Sequence, residues 1–389
     1  MTKLKKKVVV IGAGHNALTC ASYLAKAGFE VEVHESRSEV GGMACTREFT
    51  EGYKVPGVAH LLHMLNPNIQ KRLGLNNNGL EFVANRLKTI SLNPNGNALV
   101  IDGDHLEGDG ITDQDRAEFK SFKKKTNSLA RFFRSTYQTS PPRIRTDNTK
   151  DLLGLMQTGW NLRTMGNQGM TDMLRFIAIN VFDLLEEYLK NDFVKGSLAI
   201  DAVLGNHLGP RTNNSVITYL HSLTGEIDGV QGAYAIPKGG MSSYTDALKN
   251  SAEKLGVRIV LDSHVEQIIV DGNGKASGVK FAKGNEVDAD VVVSGIDPKS
   301  TFMCLVGARY LEAGFVHKIN NVRMRGNASK LHLALSGLPS FNGVDEKDIG
   351  QRIVISPTMQ YLEQAFDYTK YQHCSDQLPM EITIPSIHD

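Results

Sequence analysis

Hydrophobic and polar positions at the start of the chain follow the order strand, helix, strand. Residues 7–11 form a short apolar run of strand length, and the apolar residues of 18–27 recur at helical spacing. Gly28 favours the end of that helix, and residues 31–35 supply a second strand. Because two strands joined by a crossover helix pair in parallel, the segment predicts a βαβ unit and an α/β fold.

The pattern changes from about residue 86. Residues 88–92 and 98–101 flank the turn sequence Asn93-Pro-Asn-Gly96, which predicts a hairpin. Thr112 and Asp115 have the spacing of a capping box and predict a helix that runs to about Tyr137. A long helical stretch with one broad apolar face is predicted next, and its apolar residues are Met173, Leu174, Ile177, Val181, Leu184, Leu185 and Tyr188.

The first kind of pattern returns after Gly239-Gly240. Residues 244–255 predict a helix, and short apolar runs predict strands at 257–261, 265–270, 278–281, 287–293, 331–335, 352–355 and 381–384. We therefore predict one α/β domain that is interrupted by a mostly helical α+β insertion. The predicted boundaries are 1–85 and 235–305 for the α/β domain, and 86–234 and 306–389 for the inserted domain.

The composition of the chain indicates which partners and which cellular compartment to expect. Lys plus Arg number 43 and Asp plus Glu number 42, so the charge gives no reason to expect nucleic acid. The four cysteines lie far apart, which excludes a disulfide framework and fits a reducing compartment. The apolar run near the N-terminus is too short for a signal peptide or a membrane span. We expect a soluble, cytoplasmic protein.

The strongest motif is Gly12-x-Gly14-x-x-Ala17, where the first strand turns into the helix. The first glycine permits the tight turn, the second lets a pyrophosphate approach the backbone, and the third position must be small for the helix to pack on the strand. The helix N-terminus supplies free N–H groups for phosphate. Glu35 follows Gly14 by 21 residues, where a carboxylate can accept from ribose hydroxyls. The arrangement predicts a dinucleotide site.

The residues after Glu35 favour FAD over a nicotinamide. Gly41-Gly42 allows a second close approach to the cofactor backbone, and Arg37 can pair with phosphate. With the later motifs, the chain resembles FAD-dependent oxidoreductases of the phytoene desaturase and carotene isomerase-like family. Within that family it is most similar to the pyridine nucleotide-disulfide oxidoreductase domain-containing branch. The matching segments are 9–17, Glu35 to Gly42, 236–241, 256–259, Val265 to Ile268, 278–279, 289–294 and 297–298.

The resemblance implies a Rossmann-like FAD-binding domain of glutathione-reductase type. It also implies that His15, Asn16, Met43 and Val265 contact the cofactor, with the Val265 backbone facing the adenine. The implied reaction is hydride transfer from a C–H bond of an apolar, isoprenoid-like substrate to flavin N5, giving desaturation, oxidation or isomerisation. Because the flavin carries that chemistry, the sequence singles out no catalytic residue.

Two rival interpretations stay open at this stage. One is an NAD-dependent dehydrogenase built on the same βαβ unit. The other is a non-catalytic protein that keeps the fold as an interaction surface. The family pattern continues into a glycine-rich segment that closes over the flavin, and this chain ends at Asp389. We therefore expect a truncated reading frame or fragment that holds FAD weakly or not at all.

Each of three further features has a structural interpretation as well as a functional one. Cys45 has no second cysteine nearby, so a flavin disulfide reductase is not supported and an inert thiol is expected. His60 and His63 share a helical spacing, but without further ligands they predict structural histidines rather than a metal site, with His60 a neighbour of the active site. The apolar stripe of the helix at 115–137 predicts a core contact, and a membrane surface is the alternative.

Overall fold

The computed structural model describes residues 5–137, 141, 143, 148–164 and 166–388. Strands of the described part are β1 Lys7–Ile11, β2 Glu30–His34, β3 Thr46–Thr50, β4 Tyr53–Pro56, β5 Phe82–Ala84, β6 Thr89–Leu92, β7 Ala98–Asp102, β8 His105–Gly108, β9 Glu226–Ile227, β10 Val230–Gln231, β11 Ile236–Pro237, β12 Arg258–Val260, β13 Val265–Val270, β14 Ala276–Phe281, β15 Glu286–Asp288, β16 Val291–Ser294, β17 Arg352–Ile355 and β18 Met380–Ile382. Helices of the described part are α1 His15–Lys26, α2 Pro67–Leu73, α3 Asp113–Thr136, α4 Thr149–Thr164, α5 Gly166–Ala178, α6 Val181–Tyr188, α7 Asp192–Val203, α8 Ser215–Ser222, α9 Met241–Lys254, α10 Ala313–Asn320 and α11 Met359–Lys370.

A four-stranded parallel sheet, in the order β12–β2–β1–β16, confirms the predicted βαβ start. Val8 pairs with Val31 on one side of β1 and with Val291 on the other. The crossover between β1 and β2 is α1, which also packs against α9. Because all four strands run in one direction, their carboxyl ends meet at a single edge of the sheet.

Two apolar cores cover the faces of this sheet. On one face, β1 and β2 pack with α1 and α9 through side chains such as Val10, Leu18 and Leu248. On the other face, Val9 and Ile11 pack with the antiparallel sheet β13–β14–β15. Residues 8–11 of the central strand β1 are all apolar because both faces of this strand are buried.

A second sheet and a helical layer form the other half of the structure. The sheet has the order β18–β17–β6–β7–β8, and β6 and β7 form the predicted hairpin. Helices α3 and α5–α8 pack around one large apolar core with β7, β17 and α11. The capping box of Thr112 and Asp115 is present at the start of α3. The boundaries at 85, 234 and 305 stay a prediction.

Three details of the sequence prediction are wrong. Asn180 caps a new helix, so the long helix predicted over 173–188 divides into α5 and α6, and Leu174 and Ile177 face solvent. The strand predicted at 287–293 divides into β15 and β16, which belong to different sheets. Residues 331–335 form no strand in the described chain. By contrast, the core contact predicted for the apolar stripe of α3 is confirmed, so the stripe is not available to a membrane.

Candidate functional site

The glycine turn lies at the carboxyl edge of the parallel sheet. Gly12 has a φ of +87°, which is accessible to glycine at little cost, and its N–H donates to the carbonyl of His34 at 2.7 Å. Gly14 is the residue before α1, and within the described residues no side chain caps the helix start. The free N–H groups of the first turn are therefore open to an anion at this edge.

The Glu35 carboxylate fixes the turn from the neighbouring strand. One oxygen, Oε2, accepts the N–H of Ala13 at 2.7 Å, and the other, Oε1, accepts the N–H of Arg37 and the hydroxyl of Ser36, each at 3.1 Å. The side chain is buried. Since each carboxylate oxygen can accept two hydrogen bonds, Oε2 keeps capacity for a further donor such as a ribose hydroxyl.

The small residue at the third motif position is required by packing. Ala17 is buried, and its Cβ faces the backbone of Gly295, which follows β16. A Cβ on Gly295 would lie 2.5 Å from the Ala17 Cβ and 3.0 Å from the carbonyl oxygen of Ile11. Helix α1 therefore approaches the sheet as closely as the family motif demands.

The double glycine lies directly against the glycine turn. Gly41 donates its N–H to the carbonyl of Ala13 at 2.9 Å and forms a parallel bridge with Gly14. Both Gly41 and Gly42 have positive φ, at +116° and +61°. A Cβ on Gly42 would lie 3.3 Å from the Gly14 Cα, so the two glycine segments are in backbone contact.

A third segment reaches the same end of the sheet from β12 and β13. The N–H of Ser263 donates to the carbonyl of Glu35 at 2.8 Å, and the N–H of Asp262 donates to that of Arg37 at 3.0 Å. Val265 begins β13 two residues later and is buried against Val9 of β1. The structure thus brings Val265 close to Glu35, although the two are 230 residues apart in the chain.

The remaining predicted cofactor residues border the turn with exposed or half-buried side chains. Asn16, Arg37 and Met43 are exposed, and His15 is half-buried beside Tyr244. Burial lowers the pKa of His15, so its imidazole is neutral at neutral pH and adds no positive charge to the site. The N–H groups at the start of α1, rather than His15, are therefore the donors that this turn offers to a phosphate.

The arrangement fits a dinucleotide cofactor. A Cβ placed on Gly14 would meet no described atom within 4 Å, so the space in front of this glycine is open to a pyrophosphate. Donors stand at the start of α1 and an acceptor stands at Glu35, which are the two chemistries that phosphate and ribose require.

The segment after the double glycine leads to a group of polar residues that the sequence did not reveal. Gly57 and Ala59 donate their N–H groups to the carbonyls of Cys45 and Met43, at 2.8 and 2.9 Å. Lys330 Nζ then donates to the carbonyl of Val58 at 2.8 Å. Burial lowers the pKa of Lys330 to about 8, against the opposing effect of nearby Glu381.

His60, which was predicted as a neighbour of the active site, belongs to this polar group. Its Nε2 lies 2.8 Å from Glu381 Oε1, and the other Glu381 oxygen lies 2.5 Å from Arg352 Nε. Burial alone would raise the pKa of Glu381, but Arg352 and His60 hold it well below its ordinary value. These partners come from widely separated segments, so no spacing in the sequence could have identified them.

Cys45 and His63 have the inert environments expected for them. Burial raises the pKa of the Cys45 thiol, and its Sγ donates to the carbonyl of Gly42 at 3.1 Å. The His63 ring lies 5.1 Å from the ring of Tyr234, and burial lowers the pKa of His63. Among the described residues no group of three potential metal ligands is found. Across the same residues, no helix has the length and apolar character needed to cross a bilayer.

Comparison with known proteins identifies the family. The profile of the family described as "Flavin containing amine oxidoreductase" matches residues 18–337, which is most of the chain. The chain belongs to this family. It is a flavoprotein of the oxidoreductase class, and FAD is its cofactor.

Relatives at the sequence level agree with the predicted branch. The rat protein "Pyridine nucleotide-disulfide oxidoreductase domain-containing protein 2" is 28% identical over 406 residues, which cover 98% of this chain and 70% of that protein. The phytoene desaturase of Fusarium fujikuroi is 27% identical over 310 residues, covering 78% of this chain and 51% of that protein. The chain thus spans about half the length of the phytoene desaturase.

Solved structures share the fold at low sequence identity. A double mutant of putrescine oxidase superposes with a TM-score of 0.52 and 16% identity, over 82% of this chain and 63% of that one. A protein from Pyrococcus furiosus superposes with a TM-score of 0.50 and 15% identity, over 82% of this chain and 65% of that one. These likenesses show an α/β flavoprotein fold of the amine-oxidase kind.

Proposed function

We propose that this chain is an FAD-dependent oxidoreductase that oxidises or desaturates a C–H bond of a small apolar substrate. The observation that carries the proposal is the contact between the Gly14 turn and the Gly41–Gly42 segment, with Glu35 beside them. We place the FAD across the carboxyl edge of the parallel sheet, as in a Rossmann-like domain of glutathione-reductase type. Its isoalloxazine ring then faces the helical layer. When bound, the flavin supplies the acceptor for the electron pair of the broken C–H bond.

The residues of the chain have separate tasks in this proposal. The N–H groups at the start of α1 bind the pyrophosphate, and the Glu35 carboxylate accepts from the ribose. Beyond the double glycine, Lys330 Nζ faces the 57–60 segment and has a pKa of about 8. We propose that its amine holds and releases a proton on the substrate side at neutral to mildly alkaline pH.

An apolar, isoprenoid-like substrate is supported by the names of two relatives. One is the phytoene desaturase of Fusarium fujikuroi. The other is one chain of the limonene dehydrogenase of Castellaniella defragrans, which is 25% identical over 89% of this chain. Both names denote an isoprenoid hydrocarbon as the compound acted on. We propose the same class for this chain.

We also propose that the protein lies in the cytoplasm and attaches to a membrane surface through α4 and α5. Both helices carry solvent-facing apolar side chains, namely Leu152, Leu153, Met156, Trp160, Met170, Leu174 and Ile177. From residue 141 to 164 the sequence has four basic and two acidic residues. An exposed apolar helical stripe beside basic residues is the pattern of an interfacial helix, and it would bring the enzyme to a lipophilic substrate.

An anaerobic titration of the flavin-loaded chain with isoprenoid hydrocarbons tests the reaction. We expect the visible absorption of the oxidised flavin to disappear in proportion to the substrate added. Reduction of NAD⁺ by the substrate in a flavin-free chain would favour the dehydrogenase interpretation instead. A folded chain that neither binds flavin nor oxidises any substrate, but holds one specific protein partner, would favour the interaction-protein interpretation.

A further inference from the structure

Arg352 is a fully buried cation with an unusually complete set of partners. It begins β17 and is 1% exposed. Its Nε donates to Glu381 Oε2 at 2.5 Å, one terminal nitrogen donates to Asp201 Oδ1 at 2.6 Å, and the other donates to Thr89 Oγ1 at 3.2 Å. The Tyr234 ring covers the guanidinium, with its centroid 4.4 Å away. All three donor groups of the fork are therefore occupied and its face is stacked.

The partners of Arg352 belong to elements that are far apart in the chain. Thr89 begins β6, Asp201 lies in α7, Tyr234 precedes β11 and Glu381 lies in β18. A guanidinium has a rigid planar fork, so it holds these elements in one geometry where a flexible ammonium would not. Such a cluster fixes positions more than it stabilises the fold, because desolvation offsets most of the attraction between buried charges.

Glu381 connects this cluster to the flavin-binding segment. Its Oε2 faces Arg352 and its Oε1 lies 2.8 Å from His60 Nε2. His60 follows Ala59, whose N–H donates to the carbonyl of Met43 directly after the double glycine. A continuous series of contacts thus runs from Arg352 through Glu381 and His60 to the segment that lines the cofactor.

We propose that Arg352 is a positioning residue that, through Glu381, fixes His60 and the 57–60 segment against residues 43–45. The proposal rests on the proposed function only in taking 43–45 as a wall of the flavin site. In this role Arg352 touches neither the flavin nor the substrate, and it sets the shape of the surface that receives them. The Tyr234 ring contributes by covering the guanidinium, since burial keeps its phenol protonated and neutral with a pKa well above the ordinary value.

Hydrogen exchange at single amides distinguishes positioning from general stabilisation. The amides to follow are those of Gly57 and Ala59, which bond to residues 45 and 43. We expect Arg352→Met to accelerate exchange at these two amides by about tenfold or more relative to the mean change over the chain. Arg352→Lys keeps the charge without the fork, and we expect an intermediate effect.

Lys195→Met is the matched control. Lys195 is also a buried cation, 4% exposed. It bonds to Glu186 of α6 at 2.8 Å and to Asp192 of α7 at 2.7 Å, and neither of these ion pairs involves the 57–60 segment. We expect it to lower the unfolding temperature without a selective change at Gly57 and Ala59. If Arg352→Met changes exchange only as Lys195→Met does, Arg352 is structural and the proposal is wrong.

Two further measurements keep the test decisive. If Arg352→Met does not fold, Glu381→Gln leaves Arg352 paired with Asp201 and weakens both contacts of Glu381, those with Arg352 and with His60, and the same local acceleration is expected. FAD affinity is measured separately on each variant. Selective exchange in a chain that binds no FAD would retain the positioning role and contradict the proposed function. Unselective exchange in a chain that binds FAD normally would contradict the positioning role and retain the proposed function.

Discussion

The Oε2 atom of Glu35 accepts the backbone N–H of Ala13 at 2.7 Å. This bond joins the end of β2 to the glycine turn that follows β1, so one buried carboxylate shapes the turn at which we propose that phosphate binds and keeps an acceptor for the proposed ribose. The same turn touches the double glycine through Gly14 and Gly41. Structure and cofactor chemistry therefore depend on the same few residues.

Removing the charge of Glu35 should weaken FAD binding. Glu35→Gln keeps the shape of the side chain but replaces one acceptor oxygen with a donor. An amide nitrogen at the Oε2 position loses the bonds to Ala13 and the ribose, and one at the Oε1 position loses the bond to Arg37, which sets the shape of the same turn. We expect the dissociation constant for FAD to rise about tenfold or more, in line with the strength of a hydrogen bond to a charged group. Isothermal titration with FAD measures it, with the exposed Glu39→Gln as control. Equal affinity in both variants would contradict the assigned role.

The close approach of α1 to the sheet should make Gly295 intolerant of a methyl group. A Cβ there would lie 2.5 Å from the Ala17 Cβ. We expect Gly295→Ala to lower the free energy of unfolding by about 1–3 kcal/mol, the usual cost of overpacking. Gly314→Ala is the control, since a Cβ at this position in α10 meets no described atom within 4 Å. Chemical denaturation measures the free energy of unfolding of both variants. If Gly295→Ala leaves this free energy unchanged, helix α1 can shift to make room for the methyl group.

The dinucleotide site could be predicted from the sequence because the residues that define it are close together in the chain. Gly12, Gly14, Ala17 and Glu35 lie within one βαβ unit, where spacing alone fixes their positions relative to the strands. The cluster around Arg352 could not be predicted, since its members meet only through tertiary contacts between one five-stranded sheet, α7 and the segment before β11. Residues 331–335 show the other limit, because an alternating apolar pattern indicates an extended chain but not a partner strand.

The stability of the protein should respond to Lys330 above neutral pH. The pKa of Lys330 is about 8 in the folded chain and 10.5 in its ordinary state. Between these values the unfolded chain binds more protons, so stability rises with pH over this window and the unfavourable contribution is complete below pH 8. We expect the difference in unfolding free energy between wild type and Lys330→Met to grow in favour of wild type from pH 8 to 10.5. A difference that does not vary with pH would show that Lys330 has an ordinary pKa.

Trp160 reports directly on the proposed membrane surface. It is the single tryptophan of the chain, lies on α4 and is 68% exposed. Vesicles of phosphatidylcholine and phosphatidylserine should shift its fluorescence to shorter wavelength and carry the protein into the pellet. We expect Leu153→Ser with Met156→Ser to abolish both effects, whereas Leu378→Ser, at an exposed position elsewhere, should leave them unchanged. If anionic vesicles cause no shift in the fluorescence, the proposed attachment of α4 and α5 to a membrane surface is wrong.

The most direct test is the absorption spectrum of the purified, FAD-incubated chain before and after denaturation, compared with that of Gly14→Val. A Cβ at Gly14 meets no described protein atom within 4 Å, so the variant should fold while its side chain fills the space for the pyrophosphate. Gly272→Val, in a distant turn with equally open surroundings, is the control. We predict that stoichiometric FAD is released from wild type and from Gly272→Val, and none from Gly14→Val. Stoichiometric FAD in Gly14→Val, or none in the wild type, would contradict it.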